Sequence, residues 1–535
     1  MTDSSTPPGG FSVDPEDKRY PSLSRGFNQR WLSTPEYIRT VTSSEDTRNA
    51  LQTAFDETPS DPGRTRITAR SGGHCYEDFV CAPDVRVILD LSPLCGMYWD
   101  GEMRAQCVEA GATNWHTYSH LYPATGRALP GGTCYSVGLG GHITGGGYGM
   151  LSRKYGLTVD YLYAVEVAVV DEQGTARLVT ARIDDPDPWR KALAWAHTGG
   201  GGGNFGIVTR FWFRDVPEPP SSVMLCGLEW KWSDFKNPGE FHALLNAYGR
   251  YFQQHQDHRT VEGSLFTLLK LNHRSNGKIG LIAQIDADDR IAGDRAITEF
   301  LDTLDGAITP AAQPLSTAMG EHPPLPTMKT PQYLPWLTAT QTLNASGENL
   351  CGKYKSAYIR EPFTPEQITA MWDCLGNTRF TEYTNPSALI QIDSYGAAVN
   401  RAEFTGMRTA VQQRDSIMKM QYQVYWPVDE EEKEHLDWIR ETYTATFAAT
   451  HGVPAVSTGQ EPRNTDGCYI NYPDADLPDG RPDSLADGWP TLYYKDAYPA
   501  LRRVKRHWDP RNVFRHQQSV EPAEHYDPGK PPLLP

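Results

Sequence analysis

The sequence predicts an α+β protein of two domains, and three observations carry that expectation. At 535 residues the chain exceeds the length at which one hydrophobic core stops growing, roughly 250–300 residues. A proline-rich break, VPEPPSS at 216–222, has the composition of a crossing between domains. The texture also differs on its two sides, with short segments and glycine-rich joints before it and longer alternating runs after it.

Residues 1–20 and 523–535 are rich in Pro, Gly, Ser and Asp without periodicity, so both ends read as flexible tails. Ser44, Glu45 and Asp46 followed by Ala50, Leu51, Ala54 and Phe55 predict an amphipathic helix capped at Ser44. Strands are expected at 66–70, 85–91, 105–110, 162–170 and 176–180, the last two joined as a hairpin. Beyond the break, 264–271 and 278–286 flank Asn276-Gly277, a strong hairpin signal. Further strands are expected at 388–395 and 418–426, and helices at 240–254, 292–304 and 430–449. The last helix carries Leu436, Ile439, Tyr443 and Phe447 on one face. An antiparallel sheet backed by helices is the predicted form of this second part.

A net charge of −16 argues against nucleic acid and anionic membranes as partners, because such binding draws on clustered Lys and Arg. The N-terminus shows neither a basic leader nor an apolar core, and no apolar run of about 18 residues occurs. A cytoplasmic location, small-molecule partners and a monomer or homodimer are expected. Nine cysteines without CxxC spacing suit neither a disulfide framework nor a zinc site, so no metal is predicted.

Glycine concentrates in three segments: RSGGH at 70–74, the stretch from Pro130 to Gly149, and GGGGGNFG at 199–206. Such clusters let backbone N–H groups converge on an anion. Three of them suggest a diphosphate ligand, although tight turns are the alternative for any one. No GxxxxGK[ST] loop and no GxGxxG opening a βαβ unit is present, which disfavours a P-loop nucleotidase and a Rossmann dehydrogenase.

The strings RSGGHCYEDF (70–79), LPGGTCYSVGLGGHITGGGYGMLSRKYGLTVDYL (129–162), AHTGGGGGNFGIVT (196–209), CYINYPDADL (468–477) and the closing segment 492–520 resemble the berberine bridge enzyme branch of the vanillyl-alcohol oxidase flavoproteins. The nearest likeness is to actinomycete oxidases of antibiotic tailoring. The resemblance implies the PCMH-type FAD-binding fold, with FAD held by 21–215 and 479–522 and an antiparallel-sheet substrate domain at 216–478. It also implies that FAD is attached twice, through His74 to the 8α-methyl carbon and through Cys134 to C6. An imidazole and a thiolate are suitable nucleophiles for an electron-poor ring. Cys75 adjoins the first attachment, which the family gives to the histidine.

Further FAD contacts are implied at Arg70, Ser71, Gly72, Gly73 and Cys75, and at Gly131, Gly132 and Thr133. The stretch Gly138, Gly140, Gly141, His142, Gly146 and Gly147 follows, then Gly203, Asn204, Gly206 and Val208, and lastly Tyr469 and Asn471. In the family's NYxD element the tyrosine serves as base, here Tyr472, and Tyr148 matches a second active-site tyrosine that would hydrogen-bond to it. A phenol of ordinary pKa near 10 needs such help, or a nearby cation, to ionise. The face of 418–426 bearing Lys419, Gln421, Gln423 and Tyr425 lacks the glutamate base of berberine bridge enzyme, which favours alcohol oxidation over C–C bond closure. Alternation in 388–395 puts Gln391 and Asp393 on one face. With Gln421 they are expected to meet substrate, the alternative being water or helix polar groups. The expected activity is oxidation of a sugar or alcohol hydroxyl of a secondary metabolite, with O2 reduced to hydrogen peroxide. The alternative is a flavin-dependent dehydrogenase or oxidative cyclase on the same fold.

Overall fold

Segments before residue 216 build two sheets. The first holds β1 (Ser12–Val13), β2 (Tyr37–Thr40), β3 (Arg66–Arg70) and β4 (Val85–Asp90) in the order β1-β2-β4-β3. Its inner pairs, β2 with β4 and β4 with β3, are parallel, and β1 joins β2 antiparallel. All of VRVILD in β4 is buried, as in a strand covered on both faces, with Arg86 donating to the Ala54 carbonyl and Asp90 paired with Arg70. The second sheet joins β5 (Met97–Asp100), β6 (Ala105–Glu109), β7 (Leu162–Val170), β8 (Ala176–Arg182) and β9 (Ile207–Phe213) in the antiparallel order β5-β6-β9-β7-β8. This computed structural model describes residues 10–57, 65–376, 379, 382–401, 403, 409–477 and 488–534. The expected boundary at 478/479 lies outside the described residues.

After the proline cluster comes a third, antiparallel sheet. Its strands are β10 (Ser222–Lys231), β11 (Phe266–Asn272), β12 (Lys278–Asp286), β13 (Gln313–Pro314), β14 (Gln332–Pro335), β15 (Cys351–Ile359), β16 (Ala388–Ser394) and β17 (Met418–Trp426). The order is β13-β10-β12-β11-β16-β17-β15, with β14 also on β10. Helices Pro238–Gln254, Arg290–Asp305, Pro365–Leu375 and Lys433–Thr446 accompany it, the last packing on β15 and β17 with Leu436, Ile439 and Tyr443 buried. Among the described residues no helix is long and apolar enough to cross a membrane.

Four expectations need correction. The first helix is capped by Ser43, whose side chain accepts from the Asp46 N–H, one residue earlier than expected. Residues 10–20 are part of the fold: β1 pairs with β2 and Val13 is fully buried, a two-residue strand too short to show a period. Residues 523–534 are likewise held, since Trp189 Nε1 donates to the Pro528 carbonyl at 2.8 Å and Tyr526 bonds to His507. Strand β11 starts at Phe266 because Glu262–Ser264 forms a 3-10 turn.

The C-terminal segment returns to the glycine-rich first part. Helix Tyr498–Trp508 buries Lys505, which pairs with Asp509 and donates to the Asn204 carbonyl at 2.7 Å. Asn204 Oδ1 in turn accepts from the Val520 N–H.

Between these parts lies a buried charge network. Lys353 on β15 pairs with Glu77 at 2.5 Å and Asp474 at 2.8 Å, all three side chains no more than 2% exposed. Lys355 pairs with Asp474 at 2.8 Å and Asp476 at 3.1 Å, and Arg440 completes the set on Asp476. Three cations thus match three carboxylates. Removing one partner from such a set leaves an uncompensated buried charge, at about 3–5 kcal/mol. Lys353→Met is therefore expected to lower unfolding free energy by about 3 kcal/mol or more in urea titration; a loss below about 1 kcal/mol would show that the network is not a stabilising clamp.

Candidate active site

The loop that follows β3 begins the site. A Cβ on Gly72 would lie 2.2 Å from the Gly138 nitrogen, and one on Gly138 would lie 2.0 Å from the Gly72 nitrogen. The two loops therefore touch backbone to backbone, which only glycine permits. Their contact sets His74 beside Ser136, with Nε2 and Oγ 2.7 Å apart, and Phe27 stacks on the imidazole. Burial pushes His74 down to about 4, so its ring is neutral and retains a lone pair. Cys134 lies in the same loop, its carbonyl held by Asn114 Nδ2 at 3.0 Å and its thiol donating to Ser346 Oγ at 3.3 Å. Burial raises it to about 11, so it rests as a thiol. Burial likewise holds neighbouring Cys75 up at about 12.

One cavity of about 330 Å³ is lined by Gly72, His74, Cys75, Asn114, Cys134 and Gly138 of this set. At one end it is lined by Gly201–Gly203, Asn204, Arg515 and His516. A Cβ on Gly141, in the same wall, would meet nothing within 4 Å, so the glycines leave a cradle that side chains would fill. His142 is neutral, pushed down to about 4 by burial, and its Nε2 accepts the Gly132 N–H at 3.1 Å. Asn471 Nδ2 donates to the His142 carbonyl, and Tyr469 hydroxyl accepts from the same amide.

Strands β16 and β17 furnish another wall. Their register pairs Asp393 with Lys419 and Gln391 with Gln421, so alternation delivers four polar side chains side by side. Lys419 Nζ is fully buried, 2.8 Å from Asp393 and 3.0 Å from the Tyr472 hydroxyl, to which it donates. It also lies over the rings of Tyr148, Tyr469 and Tyr472. Gln391 Nε2 donates to Asp393, and Gln421 Nε2 to the Tyr76 hydroxyl at 3.2 Å. Burial, chiefly, and then Asp393 hold Tyr472 well above the ordinary phenol pKa.

Several placements differ from expectation. Tyr148 lines the cavity, but its hydroxyl donates to the Ser394 carbonyl; the donor to Tyr472 is Lys419, because β17 brings the lysine between the rings. Arg70 borders the cavity, yet its guanidinium is held by Asp90 and the Leu23 and Arg25 carbonyls. Gly131, Gly146 and Gly147 stand behind the lining, Gly147 against Thr158. Ser71, Gly73, Thr133, Gly140, Gly206 and Val208 are in the wall. Sequence reasoning missed Tyr76, Glu321 and His322. Tyr76 sits in a matched string two residues after His74, whereas Glu321 and His322 come from a loop without a motif. Among the described residues no group of three His, Cys, Asp or Glu is arranged to hold a metal.

The site's chemistry fits FAD: glycine walls free of side chains, a neutral imidazole and a thiol as nucleophiles, and a cation-linked phenol. Comparison with known proteins decides the family. Residues 35–179 match the FAD-binding domain family and residues 468–521 the berberine and berberine-like family. Aclacinomycin-N/aclacinomycin-A oxidase of Streptomyces galilaeus is 38% identical over 95% of this chain and 89% of its own length. The chain belongs to the berberine bridge enzyme-like family of FAD-linked oxidoreductases. Hexose oxidase of Chondrus crispus is 35% identical, covering 95% of this chain and 94% of that one. A flavoenzyme of shunt-product recycling in caerulomycin biosynthesis superposes with a TM-score of 0.85 at 39% identity, over 96% of this chain and 100% of its own.

Buried neutral histidines make the fold of this family member sensitive to acid. His197, 2% exposed, donates from Nδ1 to the Leu193 carbonyl at 2.8 Å, and burial pushes it down to about 4. The unfolded chain, with an ordinary value near 6.5, binds the proton first. This stability is therefore present above pH 6.5 and is lost as pH falls towards 4. Asp466, raised to about 7 by burial despite Lys495, titrates in the same window with opposite sign. The expected outcome is thus a difference: between pH 7 and 4.5, wild type loses about 2 kcal/mol more than His197→Gln in urea titrations, and parallel curves would contradict the assignment.

Proposed function

We propose that this chain holds FAD through two covalent bonds, from His74 to the 8α-methyl carbon and from Cys134 to C6. In this reading it oxidises a hydroxyl of a sugar or alcohol on a secondary metabolite, with dioxygen reduced to hydrogen peroxide. Residues 21–215 and 479–522 would form the FAD-binding part and 216–478 the substrate side. The observation that carries the reading is one cavity lined by His74, Cys134 and Tyr472, whose hydroxyl accepts from Lys419. Bound FAD supplies a two-electron acceptor that dioxygen can reoxidise. The names of the relatives, an aclacinomycin oxidase and a hexose oxidase, support the class of substrate.

Loss of a hydride from an alcohol carbon requires loss of the hydroxyl proton. Tyr472 is the proton acceptor in this scheme. Its resting phenol is kept neutral by burial and by Asp393, while Lys419, donating at 3.0 Å, stabilises the phenolate. The ammonium has only donors to offer, so the Tyr472 O–H proton is free to point elsewhere. Gln391, Gln421 and Glu321 present amide and carboxylate groups to the cavity, a set suited to hydroxyl groups of a saccharide.

Acid precipitation tests the attachment: yellow colour should stay in the pellet for wild type, His74→Ala and Cys134→Ala, and leave only in the double variant. Colour released from wild type would end the two-bond reading. On a panel of sugars and glycosylated alcohols, turnover should yield one hydrogen peroxide per oxidised hydroxyl. Tyr472→Phe is expected to keep the flavin and lose roughly a hundredfold or more in kcat. Lys419→Met should move the rising limb of kcat/KM to higher pH and Asp393→Asn to lower pH, since they remove charges of opposite sign beside one phenol; shifts in the same direction would exclude Tyr472 as the titrating base.

A further inference from the structure

The two nucleophiles assigned to flavin attachment are joined to each other through two serines. Nε2 of His74 lies 2.7 Å from Ser136 Oγ, Ser136 and Ser346 share a short hydroxyl–hydroxyl bond, and the Cys134 thiol donates to Ser346 at 3.3 Å. Ser136 belongs to the loop locked by Gly72 and Gly138. Ser346 arrives from the other half of the chain, between helix Trp336–Leu343 and β15. Gly347 beside it has φ of +70° and stands against Glu321, a backbone conformation that favours glycine. Leu350, four residues on, accepts the Gln29 N–H at 3.0 Å. The segment that carries the serine is thus fixed against Glu321, a lining residue of the cavity, and against the N-terminal Gln29.

We propose that Ser346 and Ser136 form a proton relay from the Cys134 thiol to Nε2 of His74, and that Ser346 takes the thiol proton as the sulfur–C6 bond forms. This inference rests on the reading of two covalent bonds given above. Hydroxyls both donate and accept, so the row can run in either sense. With Nε2–H donating to Ser136, Nδ1 carries the lone pair needed for its own bond to carbon. With the row reversed, Ser346 accepts the thiol proton, Ser136 receives the next and Nε2 is the final acceptor. Once Nδ1 is bonded to carbon, a neutral imidazole retains an acceptor only at Nε2, which suits this second sense.

The step balances with dioxygen as oxidant. The S–H and C6–H bonds break, the S–C6 bond forms, and the two electrons with both protons leave as hydrogen peroxide. A buried thiol, raised to about 11, has little thiolate at neutral pH, so without an acceptor in contact its attack is slow. Ser346 is the acceptor the structure supplies.

The test is a time course of cell-free aerobic synthesis of the full chain with FAD, in which proteolytic peptides are weighed for attachment at His74, at Cys134 and at both. Ser346→Ala is expected to acquire the His74 bond at the wild-type rate but the Cys134 bond roughly a hundredfold more slowly. Ser346→Thr, which keeps the hydroxyl, should restore it. In Ser346→Ala the Cys134 rate should also rise steeply with pH, because solvent must then take the proton, whereas the wild-type rate changes less. Wild-type rates of Cys134 attachment in Ser346→Ala would overturn the relay. Loss of both attachments in Ser346→Ala would also overturn it, because the serine would then serve folding alone. If wild type itself shows no doubly attached peptide, the reading of the cofactor fails instead.

Discussion

Three lengths of chain must meet before Tyr472 has a place, and the buried ions around Lys353 and Lys355 make them meet. Glu77 follows the His74 loop, the two lysines stand on β15, and Asp474 lies two residues after Tyr472. A buried ion set of this kind gains little over well-packed apolar residues in net stability. What it supplies here is position, because each carboxylate has one neutral arrangement and the NYPD turn sits within it. The Tyr493 hydroxyl, accepting the Asp474 N–H at 2.9 Å, holds the same turn from the C-terminal side.

Around that fixed turn, two kinds of scaffold divide the work. The approach at Gly72 and Gly138 is too close for any side chain on either residue, so glycine lets the loops that carry His74 and Ser136 meet backbone to backbone. The polar wall is placed by strand register, which pairs Asp393 with Lys419 and Gln391 with Gln421 on neighbouring strands. A slip of one residue would turn these groups to the opposite face. Lys419 is the junction of the two scaffolds, since it reaches from β17 to the hydroxyl of Tyr472 and lies over the ring of Tyr148.

Legibility in the sequence follows from these causes. Strands β7, β12 and β17 could be read to the residue because their apolar runs end at turn signals or at charge. Strand β15 could not, because CGKYKSAYI alternates lysine with tyrosine and yet every residue is buried; its partners Glu77 and Asp474 are 276 and 119–121 residues away. The face of Gln391 and Asp393 was visible as alternation, and the face of Lys419 and Gln421 likewise, but only the register shows that they adjoin. The expected cofactor residues rest on motif resemblance, since nothing in the composition distinguishes Cys134 from eight other cysteines. Glu321, His322 and Ser346 belong to coil whose placement depends on the whole third sheet, so no local pattern announces them.

This division also orders events along the chain. His74 and Cys134 are close in sequence, 60 residues apart, and their glycine loops lock by local contacts. The groups that complete the cavity or hold its lining come far later: Tyr472 and His516 line it, while Ser346 bonds to Cys134, Lys419 to Tyr472 and Val520 to Asn204. Contacts of such separation are gained only after long loops have been closed. Two bonds to a cofactor enclosed by both early and late segments would therefore be formed on an almost finished fold. On the proposed reading, the attachment chemistry would then act as a record of correct assembly, because a chain lacking its C-terminal return would present the nucleophiles without the cavity that brings a flavin to them.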